Sequence, residues 1–440
     1  MDTRGSGKFL RNCFLLLIVM MNYISCFKQY SEPEKVAETD LLVLDNYFYA
    51  IQNGDVKETE RLLDLGVPVD EKRLGTAALY TASLNGYTDI VKLLIARGAD
   101  VEIETDEKDR PLGVASRMGH IEIVKLLLDA GAGVDTRQIE DSTALMVAAQ
   151  GTLLSDDALE LLRKKSDRKS KLMLHSLESH TDIMEILIEH GADVNAYSKE
   201  TAMTPLIGAG INGSLASMDL LLKHGADINQ AAYNGGRAID ATIAYDEREA
   251  FEYLVKKGAA IEYEFQYFST ISNSLIYVTP LVASADIGDN YYTKRLIELG
   301  ANVNYKTGDK ASSIYAACLR NDPETIRMLL AAGANINEKG PNGDTPLMTA
   351  VRNDNYLVVE YLLQSGVDPN QRNDNGETAY SISITTNRYI EIVEMLLRRG
   401  VNPDQVIVVY DGKEIKPLEY AKKYNDTLLQ EILESFGAKE

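Results

Sequence analysis

The sequence predicts an all-α solenoid of about eleven helix-turn-helix units, with two insertions and a small β-hairpin near the C-terminus. Three observations predict it. Large side chains recur on a beat of 33 residues: Leu79, Leu112 and Leu145; Leu206 and Ile239; Leu281, Ile314, Leu347 and Tyr380. A Gly-Ala pair closes one unit after another, at Gly98-Ala99, Gly191-Ala192, Gly225-Ala226, Gly300-Ala301 and Gly333-Ala334. Between these marks runs an apolar stripe at helical spacing, Ile121, Val124, Leu127 and Leu128 in one unit, as an amphipathic helix requires. A fixed period of this length is the signature of stacked supersecondary units. No single unit buries its apolar face alone, so neighbours must stack.

The first thirty residues read as an address. Arg4, Lys8 and Arg11 precede the apolar run Cys13–Met21. That run is shorter than the ~20 residues a membrane-spanning helix needs, and the pattern is that of a secretory signal peptide. Tyr23-Ile24-Ser25-Cys26 resembles a bacterial lipobox, with Tyr23 where that pattern usually has Leu. The resemblance implies a lipid on Cys26, making the chain exported, in the cell envelope or periplasm, and membrane-tethered where that lipid is attached. Ordinary cleavage near Ser25 and an uncleaved anchor stay open. The resulting division is a leader over 1–25, a linker over 26–43 and the solenoid over 44–440.

Each unit of the solenoid has a local rationale. Thr204-Pro205-Leu206 and Thr345-Pro346-Leu347 set a capping hydroxyl before a proline at the start of a helix. Ala82, Ala115, Ala148 and Ala317 keep the first helix thin. Gly86 or Gly119 turns the chain, and Gly131 ends the second helix as a C′ glycine should. The first unit, near Asp45 to Val69, has no Thr-Pro-Leu, as suits a cap. At the other end Gln405–Lys416 predicts a β-hairpin turning at Asp411-Gly412, before a last helix pair at about Pro417 to Phe436.

These residues resemble the ankyrin-repeat family: the period, the Thr-Pro-Leu, the Gly119-His120 turn and the run Gly191-Ala192-Asp193-Val194-Asn195. The resemblance covers nearly all of the chain after the leader. One departure recurs: the His that usually follows Thr-Pro-Leu is Ile207 or Met348 here. The family implies a protein-protein interaction scaffold that binds along turn tips and inner helices. Carried over residue by residue, the contact candidates are Asp106, Glu107, Asp109, Arg117 and Met118; Met203 and Asn212; Leu319 and Arg320; Asn342, Asp344, Arg352 and Asn353; and Asp374, Asn375 and Glu377. The implied partner is a protein bound by a monomer. A secreted effector that meets host proteins, or a self-associating envelope protein, is the alternative.

Two spacings break the beat. Leu145 and Leu206 are 61 apart, and Ile239 and Leu281 are 42 apart. The first insertion, about Gly151 to Glu178, carries Arg163, Lys164, Lys165, Arg168, Lys169 and Lys171, a basic run in a chain of net charge −21. It begins with what reads as an N-capped helix at Ser155. The second, about Glu262 to Val278, carries Tyr263, Phe265 and Tyr267, with Phe268 and Tyr277 beyond. Aromatics on a loop suit either a binding hot spot or a loop folded down on its neighbours.

Composition narrows the function. A net charge of −21 repels phosphate backbones and argues against nucleic acid; it favours basic partners. Of three cysteines only Cys318 lies in the solenoid, so no disulfide framework is available within the chain. No phosphate loop, HExxH or nucleophile elbow occurs. His175 and His180 are five apart, which puts them off a shared helix face. The expectation is a binding protein that is not an enzyme and uses no cofactor or metal.

Overall fold

The computed structural model describes residues 38–151, 168–269, 274–308, 310, 312–386, 390–408 and 414–439. The leader, Cys26, the Ser155 helix, Arg163, Lys164, Lys165 and the Asp411-Gly412 turn lie outside the described residues. Among those described are 22 α-helices and three two-stranded antiparallel sheets. The chain divides into two compact units, up to Asp193 and from Val194 onward.

In the first unit four helical hairpins follow one another. They are α1 (Glu38–Gln52) with α2 (Val56–Asp64), α3 (Ala78–Asn85) with α4 (Thr88–Ala96), α5 (Pro111–Met118) with α6 (Ile121–Asp129), and α7 (Ala144–Gln150) with α8 (Arg168–Glu189). A short ladder, β1 (Lys72–Arg73) with β2 (Thr76–Ala77), precedes α3. α1 begins inside the stretch read from sequence as linker. α8 is 22 residues long where the other second helices of this unit have nine. The far end of the first insertion thus continues directly into a second helix.

The second unit holds seven hairpins. They are α9 (Pro205–Ile211) with α10 (Leu215–Lys223), α11 (Ala238–Tyr245) with α12 (Arg248–Lys257), α13 (Pro280–Ile287) with α14 (Asn290–Glu298), and α15 (Ser313–Cys318) with α16 (Pro323–Ala331). Then come α17 (Pro346–Arg352) with α18 (Tyr356–Gln364), α19 (Ala379–Thr385) with α20 (Ile390–Arg398), and α21 (Pro417–Lys423) with α22 (Thr427–Ser435). Between α12 and α13 the second insertion forms a β-hairpin, β3 (Phe265–Ser269) with β4 (Ser274–Val278). The strands expected near the C-terminus are β5 (Ile407–Val408) and β6 (Glu414–Ile415), paired Ile407 to Ile415.

Within each unit first helices pack on first helices and second on second. Periodicity explains the core: Ile123, Val124 and Leu127 in α6 are buried, while Glu122 and Lys125 face water. Both capping threonines act as expected, Thr204 accepting from the Ile207 N–H (3.1 Å) and Thr345 from the Met348 N–H (3.3 Å). At the absent-His position Met348 compensates, its Sδ accepting the Thr345 N–H at 3.5 Å. Gly131 has φ of 94°. Its N–H reaches the Leu128 carbonyl at 2.9 Å and that of Ala132 the Leu127 carbonyl at 2.9 Å, which closes the last turn of the helix.

Two side-chain stitches join neighbouring hairpins. The residue before a second helix reaches back to a carbonyl of the preceding hairpin: Tyr87 to Gln52 (3.0 Å), His120 to Leu84 (3.2 Å) and Asn355 to Cys318 (2.9 Å); His180, inside the long α8, reaches Arg117 in the same way (2.9 Å). In the long loops an acid or amide accepts the backbone N–H of the next repeat. Asp70 takes that of Asp100 (3.0 Å), Asn195 that of Asp227 (2.8 Å), Asn229 that of Ala260 (2.7 Å) and Asn304 that of Asn335 (2.8 Å).

Close packing also fixes a glycine. A Cβ on Gly210 would lie 2.8 Å from the Ala238 carbonyl oxygen of α11. Helix propensity alone makes Gly→Ala a gain of up to ~1 kcal/mol. Here Gly210→Ala is expected to cost about 1–2 kcal/mol instead, because backbone must move. Urea denaturation monitored by circular dichroism measures the sign.

Candidate functional site

The turn-tip and first-helix candidates separate into two groups. Asp109 is buried. Its carboxylate accepts from the Tyr80 hydroxyl at 3.1 Å and from Arg117 at 3.2 and 3.3 Å. Asp344 is buried too. It accepts from Arg352 Nε and from Asn373 Nδ2, both at 2.7 Å. Arg352 also pairs with Glu377, which Asn373 reaches at 2.8 Å. Arg320 donates its Nε to the Asp286 carbonyl near the end of α13. The reading of these residues as a free contact face is therefore corrected for Asp109 and Asp344. Each of these carboxylates finds its cation eight residues on, on the first helix of its own repeat, and Arg352 also reaches Glu377 of the next. Arg117, Arg320, Arg352 and Glu377 are half-buried in the same pairings, and Met203 and Leu319 are half-buried. Asp106, Glu107 and Met118 of the first unit remain exposed, as do Asn212, Asn342, Asn353, Asp374 and Asn375 of the second. The side chains of Arg168, Lys169 and Lys171 lie outside the described residues, though α8 runs through them.

The second insertion gives the chain a concavity. A cavity of about 360 Å³ lies between β3 and the first helices of three successive hairpins. Ile207 and Ile211 come from α9, Ala241 and Ile243 from α11, Ala283 and Ile287 from α13, and Phe265 and Tyr267 from β3. Strand alternation decides which hairpin residues turn inward. Phe265 pairs with Val278 and both are buried; Phe268 pairs with Leu275 and both are exposed, at 53% and 66%. The aromatics named from sequence thus divide between the two faces of the hairpin. Tyr263 and Phe265 fold down, while Phe268, Leu275 and Tyr277 face solvent.

Polar groups sew the hairpin to the repeats. The Gln266 N–H donates to the Asn234 carbonyl at 2.7 Å. The Ser269 hydroxyl donates to Asp286 Oδ1 at 3.1 Å. The Tyr263 hydroxyl donates to Asp240 Oδ2 at 2.6 Å, and the Arg237 backbone N–H donates to the same oxygen at 2.8 Å. Arg237 lays its guanidinium 3.9 Å over the Tyr263 ring. The Asp240 carboxyl is pushed up to about 7 by burial, against the opposing pull of the Tyr263 and Arg237 contacts. Asp240 is half-buried as a residue, yet its Oδ1 is sealed from water and has no hydrogen-bond partner. Burial also raises Asp286, with Ser269 and Arg320 acting the other way.

Asp240, Arg237 and Asp286 were not singled out from sequence. One signal was available for Asp240. It follows Ile239 in the slot that holds Ile207, Val282 and Met348 in other units, and a carboxylate in an apolar slot needs a special partner. That partner, Tyr263, sits in the insertion. Among the described residues no group of three or more His, Cys, Asp or Glu is placed to hold a metal ion.

Comparison with known proteins agrees with this architecture. The family model described as "Ankyrin repeats (3 copies)" matches residues 16–105, 47–141, 97–171, 145–232, 172–265, 281–373 and 313–407. A similar protein is "Ankyrin repeat and KH domain-containing protein mask-1" of Caenorhabditis elegans, 26% identical over 320 residues. The matched stretch is 71% of this chain and 11% of that protein.

Proposed function

Because the chain belongs to the ankyrin-repeat family, we propose that it is a protein-protein interaction scaffold whose second unit carries a binding centre at the inserted hairpin. The observation that carries this reading is the apolar cavity under β3, with Phe268 and Leu275 exposed on the hairpin. Large apolar side chains held out in water beside a preformed concavity are the arrangement a partner's side chain completes. The partner fitting it is a polypeptide with an aliphatic or aromatic anchor and basic flanks, since the chain's net charge of −21 draws cations. The activity proposed is binding, not catalysis. The exposed tips Asp106, Glu107, Asn342 and Asp374 supply further contacts.

The test is mutational. A photo-crosslinking residue at Tyr277 identifies partners from the native cells. Their affinity is then measured for wild type, Phe268→Ala, Leu275→Ala and the second-helix control Lys294→Ala. Each hairpin variant is expected to lose about tenfold or more in affinity, the scale of a hot-spot residue, and the control to bind unchanged. Binding that survives both hairpin variants and fails on Asn342→Ala or Asp374→Ala would move the centre to the tips.

The proposal extends to location. Arg4, Lys8, Arg11, the apolar run to Met21 and Cys26 support an exported scaffold tethered by lipid at Cys26. Mass spectrometry of the N-terminal peptide from native cells decides it. A diacylated terminus at Cys26 is expected, and an intact Met1 sinks the idea.

A further inference from the structure

Arginines half-buried in this protein find an acid or a carbonyl within it. Arg73, Arg110, Arg117, Arg295 and Arg352 each pair with an acid, and Arg320 donates to the Asp286 carbonyl. Arg237 is the exception among the described residues. It stands just before α11 and lines the cavity under β3. Its guanidinium lies 3.9 Å over the Tyr263 ring, a stacking that holds the planar group in one orientation. Its Nε is sealed from water without a hydrogen-bond partner, and its two terminal nitrogens reach solvent without a hydrogen bond or an ion pair. The acid on the helix that follows, Asp240, is engaged elsewhere: its Oδ2 accepts from the Tyr263 hydroxyl and from the Arg237 backbone N–H. A partly desolvated cation without a counter-charge is a costly arrangement. With 66 acids in the chain, the lack of one here is a feature of the place, not of composition.

We infer that Arg237 receives the C-terminal carboxylate of the partner polypeptide, whose last side chain fills the cavity beside it. This rests on the reading of the cavity as a binding centre, and it names the part of the partner that enters.

The ligand's chemistry follows from what shares the cavity. Ile207, Ile211, Ala241, Ala283 and Ile287 line the same space of about 360 Å³ as Arg237. An apolar group and an anion must therefore arrive close together. A C-terminal residue has this form, because its side chain and its carboxylate share one Cα. An internal Asp or Glu does not: the charge takes the place of the apolar group, and the main chain leaves in both directions. A guanidinium fork matches one carboxylate with two parallel N–H···O bonds. A phosphate would bring a second charge that no other cation in the cavity wall meets. Asp240 is the charge in the wall that opposes an anion. Its two donors on Oδ2 and its sealed Oδ1 keep that charge from facing a ligand. Basic residues upstream in the partner then meet the acidic surface of the chain.

Synthetic octapeptides and the full chain test this by fluorescence anisotropy. Each peptide carries a label at its N-terminus, lysines upstream and Leu, Ile, Phe or Tyr last, and each is made as the free acid and as the terminal amide. The wild type is expected to bind the best free acid at least about tenfold more tightly than its amide, the scale of a lost charge-assisted hydrogen bond. Arg237→Gln is expected to bind acid and amide alike. Arg237→Lys, which keeps the charge without the fork, is expected to retain a smaller preference, which a misfolded site would not. Equal affinity for acid and amide in the wild type overturns the inference. So does a preference that survives Arg237→Gln, or binding undiminished when two glycines extend the peptide's C-terminus. Octanoate that binds as tightly as the peptide it displaces overturns the polypeptide assignment in favour of a small acid. The two readings fail apart. If the cavity is no binding centre, neither acid nor amide binds at up to about 1 mM. If only the carboxylate is misassigned, both forms bind alike and both weaken in Phe268→Ala.

Discussion

Phe251→Ala is expected to destabilise the second unit by about 3–5 kcal/mol, the usual loss for a buried phenylalanine. Phe251 on α12 is fully buried. Its ring meets that of Tyr292 on α14 edge-on, with centroids 5.2 Å apart, a geometry that adds to simple burial. Tyr292 is buried as well, and its hydroxyl donates to the Thr242 carbonyl on α11 at 3.2 Å. The two rings therefore hold three helices together across one repeat boundary. Stability in a repeat stack is a sum of unit terms and nearest-neighbour terms, so the damage should concentrate between α11 and α14. Urea titration of the variant measures the loss. Hydrogen exchange should place it in residues 238–298 while α21 and α22 keep their protection. A loss below about 1 kcal/mol would mean that the neighbours collapse onto the gap.

Arg352→Ala is the second large effect, expected at about 2–3 kcal/mol. Removing one partner of a buried pair costs ~3–5 kcal/mol, because the other charge is stranded. The lower figure follows because the Arg352 side chain is 33% exposed while that of Asp344 is 9% exposed. Without the guanidinium, Asp344 keeps only its Asn373 contact, and Glu377 loses its cation. The nearby exposed Asn353→Ala should change stability by less than about 0.5 kcal/mol. The pair of variants also separates stitching from recognition. Thermal denaturation reads the first, and partner affinity measured on the still-folded fraction reads the second. An Arg352→Ala chain as stable as wild type would return Arg352 and Asp344 to the contact surface.

Much of the fold was legible because its determinants are local and periodic. The caps Thr204 and Thr345, the helix-ending Gly131 and the stripe residues Val124, Leu127 and Leu128 act within a few residues of themselves; Ile121, read into the same stripe, is half-buried, and Ile123 is buried in its stead. The C-terminal strand pair and the last helix pair also stand where the pattern put them. The second insertion was legible as an interruption with aromatics, yet not as a strand pair. Its alternation, with Phe265 in and Phe268 out, has meaning only once a face to pack on is known.

The contact candidates were less legible, for a geometric reason. A turn-tip acid such as Asp344 reads in sequence as a solvated charge, and Arg352 as another. Their burial is set by Asn373 and Glu377 of the following repeat, brought beside them by the 33-residue period. Asp106 and Asp374, five residues before their first helix, stay exposed, whereas Asp109 and Asp344 stand two residues before it with Arg117 and Arg352 eight residues on.

By itself the sequence determined the repeat, the caps at Thr204 and Thr345, the apolar faces and the acidic character of this protein, because capping and side-chain period are properties of neighbouring residues. Only the tertiary structure decided which charges are consumed between repeats, how the inserted hairpin walls a cavity, and that Asp240 meets Tyr263 there. Those outcomes depend on groups distant along the chain, and on burial, which exists only once the helices have stacked and excluded water.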